Sequence, residues 1–96
     1  MNGQVGPNAI TRVAEALRAH RGERVCREVF ARAGLTHHLD HPPTRMVDEA
    51  DVAALQAALR ETLGDAHAAR IAREAGRLTG DYMLAHRIPR PVQWLI

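Results

Sequence analysis

At 96 residues the chain is one domain or part of one, and its 46% hydrophobic content excludes a disordered tail. Seventeen of its hydrophobic residues are alanine, so large core side chains are few and the helices must pack closely to bury them. All 13 basic residues are Arg, interleaved with 11 acids for a net charge of +2, which reads as a salt-bridged solvent face and excludes a nucleic-acid-binding stripe.

Gly6-Pro7-Asn8 opens the first predicted helix, where a proline near the first turn sacrifices no hydrogen bond. Ile10, Val13, Ala14 and Leu17 then follow at helical spacing until Gly22. A second helix with Val25, Val29, Phe30 and Ala33 on one face closes at Gly34. Thr36 to Arg45 holds His37, His38, His41 and Pro42-Pro43, and the successive prolines predict an irregular loop. Asp48 is placed to cap the third helix, with Asp51 in capping-box position and Val47 set to pack on Val52. Val52, Leu55, Leu59 and Leu63 run down that helix to Gly64. The fourth, about residues 65–86, aligns Ile71, Ala75, Leu78 and Tyr82; Gly76 and Gly80 each weaken it by about 1 kcal/mol relative to Ala. Ile88-Pro89-Arg90-Pro91 breaks the chain before a short apolar run, Val92 to Ile96.

The expected fold is all-α: four main helices in two antiparallel hairpins, about residues 7–34 and 48–87, joined by a loop over 35–47, with a further helix starting at 91–96. A weak repeat supports the pairing. Ala16-Leu17-Arg18, Gly22, Val29 and Ala33-Gly34 recur 42 residues later as Ala58-Leu59-Arg60, Gly64, Ile71 and Ala75-Gly76, and Asp65 matches Glu23. The apolar end at Trp94, Leu95 and Ile96 predicts a covering partner: a missing C-terminal half, another protein or a second copy. One cysteine, no charged-then-apolar leader and no run near the ~20 residues of a membrane span predict a cytoplasmic protein without a transmembrane segment.

Several segments together resemble the N-terminal half of the bacteriochlorophyll 4-vinyl reductase family of purple bacteria. They are Gly6-Pro7-Asn8-Ala9-Ile10, Met46-Val47-Asp48-Glu49, Glu74-Ala75-Gly76 and, most specific, Asp81 to Pro89. The resemblance covers almost the whole chain. It implies bacteriochlorophyll biosynthesis, at the reduction of a divinyl to a monovinyl tetrapyrrole, and a second half that makes the whole an α+β protein. Whether such a protein reduces the vinyl group or carries the intermediate stays open, as does any cofactor. The residues themselves show no Gly-rich phosphate turn for a nicotinamide or flavin and no cysteine pair for an iron–sulfur cluster. A non-catalytic helical interaction or dimerisation module is the alternative.

Two clusters are candidate sites. His86, Arg87, Arg90 and Trp94 could contact a tetrapyrrole of Mg-porphyrin type, Arg by gripping a propionate and Trp by stacking on the macrocycle. Their structural alternative is helix-end charge and a packing Trp. His37, His38 and His41 are weak metal candidates, since neutral imidazole can bind zinc or sit axially on a magnesium tetrapyrrole; a solvated polar loop is the alternative. Cys26 reads as a core filler, and Glu15, Glu28, Glu49 and Glu74 as surface partners of Arg.

Overall fold

Two glycines set the architecture. In a computed structural model, which describes residues 3–86, Gly22 has φ 85°, ψ 168° and Gly64 has φ 83°, ψ 162°. This extended, positive-φ conformation is essentially confined to glycine, and it interrupts a helix without a loop. The elements in order are β1 (Gln4–Val5), α1 (Asn8–Ala33, broken at Gly22), α2 (His37–Asp40), β2 (Val47–Asp48), α3 (Glu49–Leu63) and α4 (Asp65–His86). Cys26 Sγ lies 3.7 Å from the Ala14 carbonyl, so the two arms of α1 fold back on one another across Gly22. The second hairpin, α3 and α4, turns at Gly64, and the all-α expectation holds.

The 42-residue repeat is structural. Val13 and Leu55, Ala16 and Ala58, Leu17 and Leu59, Cys26 and Ala68, and Val29 and Ile71 are all buried pairs at that offset. The single ladder joins the two units: β1 and β2 pair antiparallel with Val5 opposite Val47, its own repeat equivalent. An antiparallel pair of equivalent residues has a local two-fold axis between them. The ladder thus carries a local two-fold axis at the Val5–Val47 pair, between two helix–Gly–helix units of the same pattern. The relation ends at Gly34, which closes α1 with φ 75°, whereas its equivalent Gly76 lies inside the longer α4.

The core lies between the two hairpins. Phe30, Ile10, Leu17, Leu55, Leu59 and Val29 have no exposed surface, and each such side chain contributes roughly 1.5–3 kcal/mol by burial. Ala16 and Ala58, also buried, allow the close helix approach that the alanine-rich composition predicts. No helix among the described residues is long and apolar enough to cross a membrane.

Two local expectations are corrected. Residues 36–45 are not wholly irregular, because α2 forms there: Leu35 and Leu39 sit one helical turn apart and both enter the core. The prolines do not prevent it, since they act only on themselves and on the residue before; His41, before Pro42, is already extended at φ −131°, ψ 84°. Asp48 occupies the N-cap position of α3, but its side chain makes no capping hydrogen bond. The Glu49 N–H donates to the Gly3 carbonyl at 3.0 Å, so the N-terminal segment satisfies the first free donor of α3, one that an Asp48 cap would not reach.

Candidate functional site

A groove runs along the edge where β1, the start of α1, the α2–β2 connection and the last turns of α4 meet. It consists of three clefts that share walls. The first, about 480 Å³, is lined by Gln4, His37, His38, Asp48, Asp51 and the run Pro42 to Val47. The middle one, about 230 Å³, shares Pro43 and Thr44 with the first and adds Pro7, Asn8, Thr11, Arg12 and Tyr82. The third, about 410 Å³, shares Pro7 and Asn8 with the middle one and is completed by Gly6, Ala9, Gly76, Thr79 and Met83.

Each wall follows from local structure. Pro7 starts α1, with its carbonyl accepting from the Ile10 and Thr11 N–H groups and from Thr11 Oγ1, which fixes the first turn. Gly76 leaves α4 bare at the third cleft, where a Cβ would meet nothing within 4 Å. Met46, Met83 and Leu84 are exposed large apolar residues near this edge. In the middle cleft the Arg12 guanidinium lies over the Tyr82 ring at 5.1 Å. One Arg12 terminal nitrogen pairs with Glu15 at 3.0 Å, while its buried Nε has no hydrogen-bond partner among the described residues. A cation stacked on an aromatic face puts positive charge in the cleft wall, while its buried Nε is closed off from the groove.

At the other end His37 is exposed and His38 half-buried, with ring centroids 4.2 Å apart and tilted by 40°. Burial, and then the neighbouring charge of His37, push His38 below the usual imidazole range; Asp51, with Oδ2 at 4.0 Å from His38 Nε2, opposes them more weakly. His38 is therefore neutral at physiological pH and keeps a lone pair. His41 follows α2, exposed, and takes no part in the ring contact. Among the described residues no three His, Cys, Asp or Glu side chains converge to hold a metal ion.

The second sequence-based cluster falls at the edge of what is described. His86 ends α4, and its side chain, together with Arg87, Arg90, Trp94, Leu95 and Ile96, lies outside the described residues. Met83 nevertheless places the third cleft within one helical turn of His86. The remaining single candidates take structural places. Cys26 has no exposed surface, and burial raises its thiol pKa. Glu15 pairs with Arg12, and Glu74 with Arg77.

The groove residues that sequence reasoning passed over are Gly6 to Ala9, Arg12, Gly76, Thr79 and Met83. All four segments that carry the family resemblance contribute: three, widely separated in the chain, supply most of the third cleft, and Met46 to Glu49 supplies part of the first. That clustering was the available signal.

Comparison with known proteins adds a direct lead. The chain is similar to the bacteriochlorophyll synthase 23 kDa chain of Cereibacter sphaeroides, 40% identical over 93 residues, which cover 97% of this chain and 44% of that protein. It is also similar to the protein of the same name from Rhodobacter capsulatus, 36% identical over 86 residues, covering 90% of this chain and 39% of that protein. The chain thus spans less than half the length of the curated relatives it matches. Both are named for bacteriochlorophyll synthesis, and neither is named a vinyl reductase. No family model and no solved structure matches the chain.

Proposed function

We propose that this chain acts in bacteriochlorophyll biosynthesis and that its groove holds a tetrapyrrole intermediate. The single observation that carries the reading is the 40% identity to a bacteriochlorophyll synthase chain over nearly every residue that builds the groove. The geometry supports it. Three clefts of about 480, 230 and 410 Å³ with shared wall residues lie side by side, which suits a large flat ligand better than a compact metabolite that needs only one. Apolar walls at Pro7, Ala9 and Met83 suit a macrocycle edge, and Arg12 suits a peripheral carboxylate.

The role of these residues is to bind and orient. The finer assignment, action at the divinyl-to-monovinyl reduction, rests on the resemblance of Asp81 to Pro89 and its companion segments to the 4-vinyl reductase family. A second reading, a helical module that docks on another protein chain, is favoured by one observation: Met83 and Leu84 stand exposed beside the third cleft.

An absorption titration with a magnesium porphyrin tests the first reading. A saturable Soret shift, weakened by Met83→Arg in the groove and unchanged by Arg32→Ala, which lines none of the three clefts, is the expected result. No shift with any tetrapyrrole would overturn it. Comparison of divinyl and monovinyl forms tests the finer assignment, which requires the divinyl form to bind more tightly; equal affinities would remove it. Sedimentation addresses the docking reading: a concentration-dependent dimer that Met83→Arg dissolves would favour docking.

A further inference from the structure

We propose that the His37–His38 end of the groove makes the chain selective for a tetrapyrrole that already carries its metal, with His37 as axial ligand to the central magnesium. The proposal rests on the tetrapyrrole reading above. At the 42-residue offset of the repeat, Asp48 and Asp51 in the first cleft correspond to Gly6 and Ala9 in the third. The two ends of one groove are therefore built from equivalent positions that differ in chemistry, one end polar and basic in imidazole, the other apolar. A ligand lying along it is oriented: the metal-bearing face over the histidines, the hydrocarbon edge towards Met83.

Donor count limits what the two histidines could hold. A bare ion needs three or more protein ligands, and no such set exists among the described residues. A magnesium ion held by four pyrrole nitrogens needs only one more donor, and a neutral imidazole is one. His37 is the exposed ring of the pair, open to the cleft, and His38 packs against it at 4.2 Å. Asp51 lies 4.0 Å from His38, beyond hydrogen-bond distance, and places a carboxylate beside the ring that packs against His37. The remaining axial face of the macrocycle stays open to solvent or to a partner.

The test uses the whole 96-residue chain with magnesium protoporphyrin and the free-base porphyrin of identical periphery. The expected result is tighter binding of the magnesium form by about tenfold or more, with the Soret band of a five-coordinate imidazole complex. His37→Ala abolishes that band and the preference, and added free imidazole restores the band. Because His37 is exposed, its replacement spares the core, and Met83→Ala at the opposite end serves as a second variant that weakens both porphyrins alike. Equal affinity for the two porphyrins, or an unchanged band in His37→Ala, overturns the axial assignment and leaves the tetrapyrrole reading intact. Failure of both porphyrins to bind removes both.

Discussion

The same substitution should have opposite consequences at different glycines, because their backbones differ. Gly22 and Gly64 adopt φ 85°, ψ 168° and φ 83°, ψ 162°, where a side chain meets its own backbone whatever space surrounds it. Nothing lies within 4 Å of a Cβ built at either position, so the cost is conformational strain alone. Occupying that region with alanine costs about 1–3 kcal/mol. With a urea slope near 1 kcal/mol/M, Gly22→Ala and Gly64→Ala should each lower the unfolding midpoint by roughly 1–3 M. As equivalent hinges they should do so by similar amounts. Gly76 and Gly80 sit inside α4 without positive φ, and a Cβ there also meets nothing. Alanine at either should raise stability by about 0.8–1 kcal/mol through helix propensity. Urea titrations of the four variants, followed by circular dichroism at 222 nm, separate the cases. Hinge variants as stable as wild type would refute the strain argument and with it the two-hairpin architecture.

Three further outcomes follow from individual residues. Asp48→Ala should change stability by no more than about 0.5 kcal/mol, since its side chain makes no capping hydrogen bond and only a helix-dipole contribution is lost; a loss above about 1 kcal/mol in urea would show a working cap. His38 is held below the usual imidazole value of 6.5 by burial first and by His37 second, so the unfolded chain binds the proton more readily than the folded one. Its contribution to stability is complete above about pH 6.5 and is lost as pH falls through the lower folded value. Urea midpoints of wild type should therefore fall more steeply than those of His38→Gln between about pH 7 and pH 5, and parallel curves would contradict the assignment. Cys26, buried with a raised pKa, should react with a thiol reagent only after unfolding, and rapid labelling of the native chain would show that the α1 hairpin opens.

Much of the fold was legible because it obeys local rules. Apolar spacing around Leu17, Val29, Leu59 and Ile71 marks the buried faces, and Gly22 and Gly64 mark both turns. The repeat, which matched few residues, gained weight once equivalent glycines proved to share one backbone conformation. What the sequence withheld was non-local. Asp48 is the N-cap residue as its position predicts, but the Gly3 carbonyl that accepts from the adjacent Glu49 N–H lies 46 residues before Glu49 in the chain. Pro42-Pro43 weighed against any helix nearby, although burial of Leu35 and Leu39 favours one short turn just before them. The groove was hidden for the same reason: Pro7, Thr44 and Tyr82 lie far apart in the chain and meet only through packing. His37 and His38 were visible as ligands, but their pairing comes from α2 and their link to Asp51 from the packing of α3.

Amide chemical shifts of the isotopically labelled chain, recorded during titration with a diamagnetic magnesium porphyrin, test the central claim most directly. A bound macrocycle imposes ring-current shifts only on residues near its plane. The account predicts the largest changes along the groove, at Asn8, Arg12, His37, Thr44, Thr79 and Met83, with the buried Gly22-side core around Cys26 and Ala14 unmoved. Shifts absent from the groove, or centred on the Arg32–Glu61 ion pair, which lines none of the clefts, would contradict it.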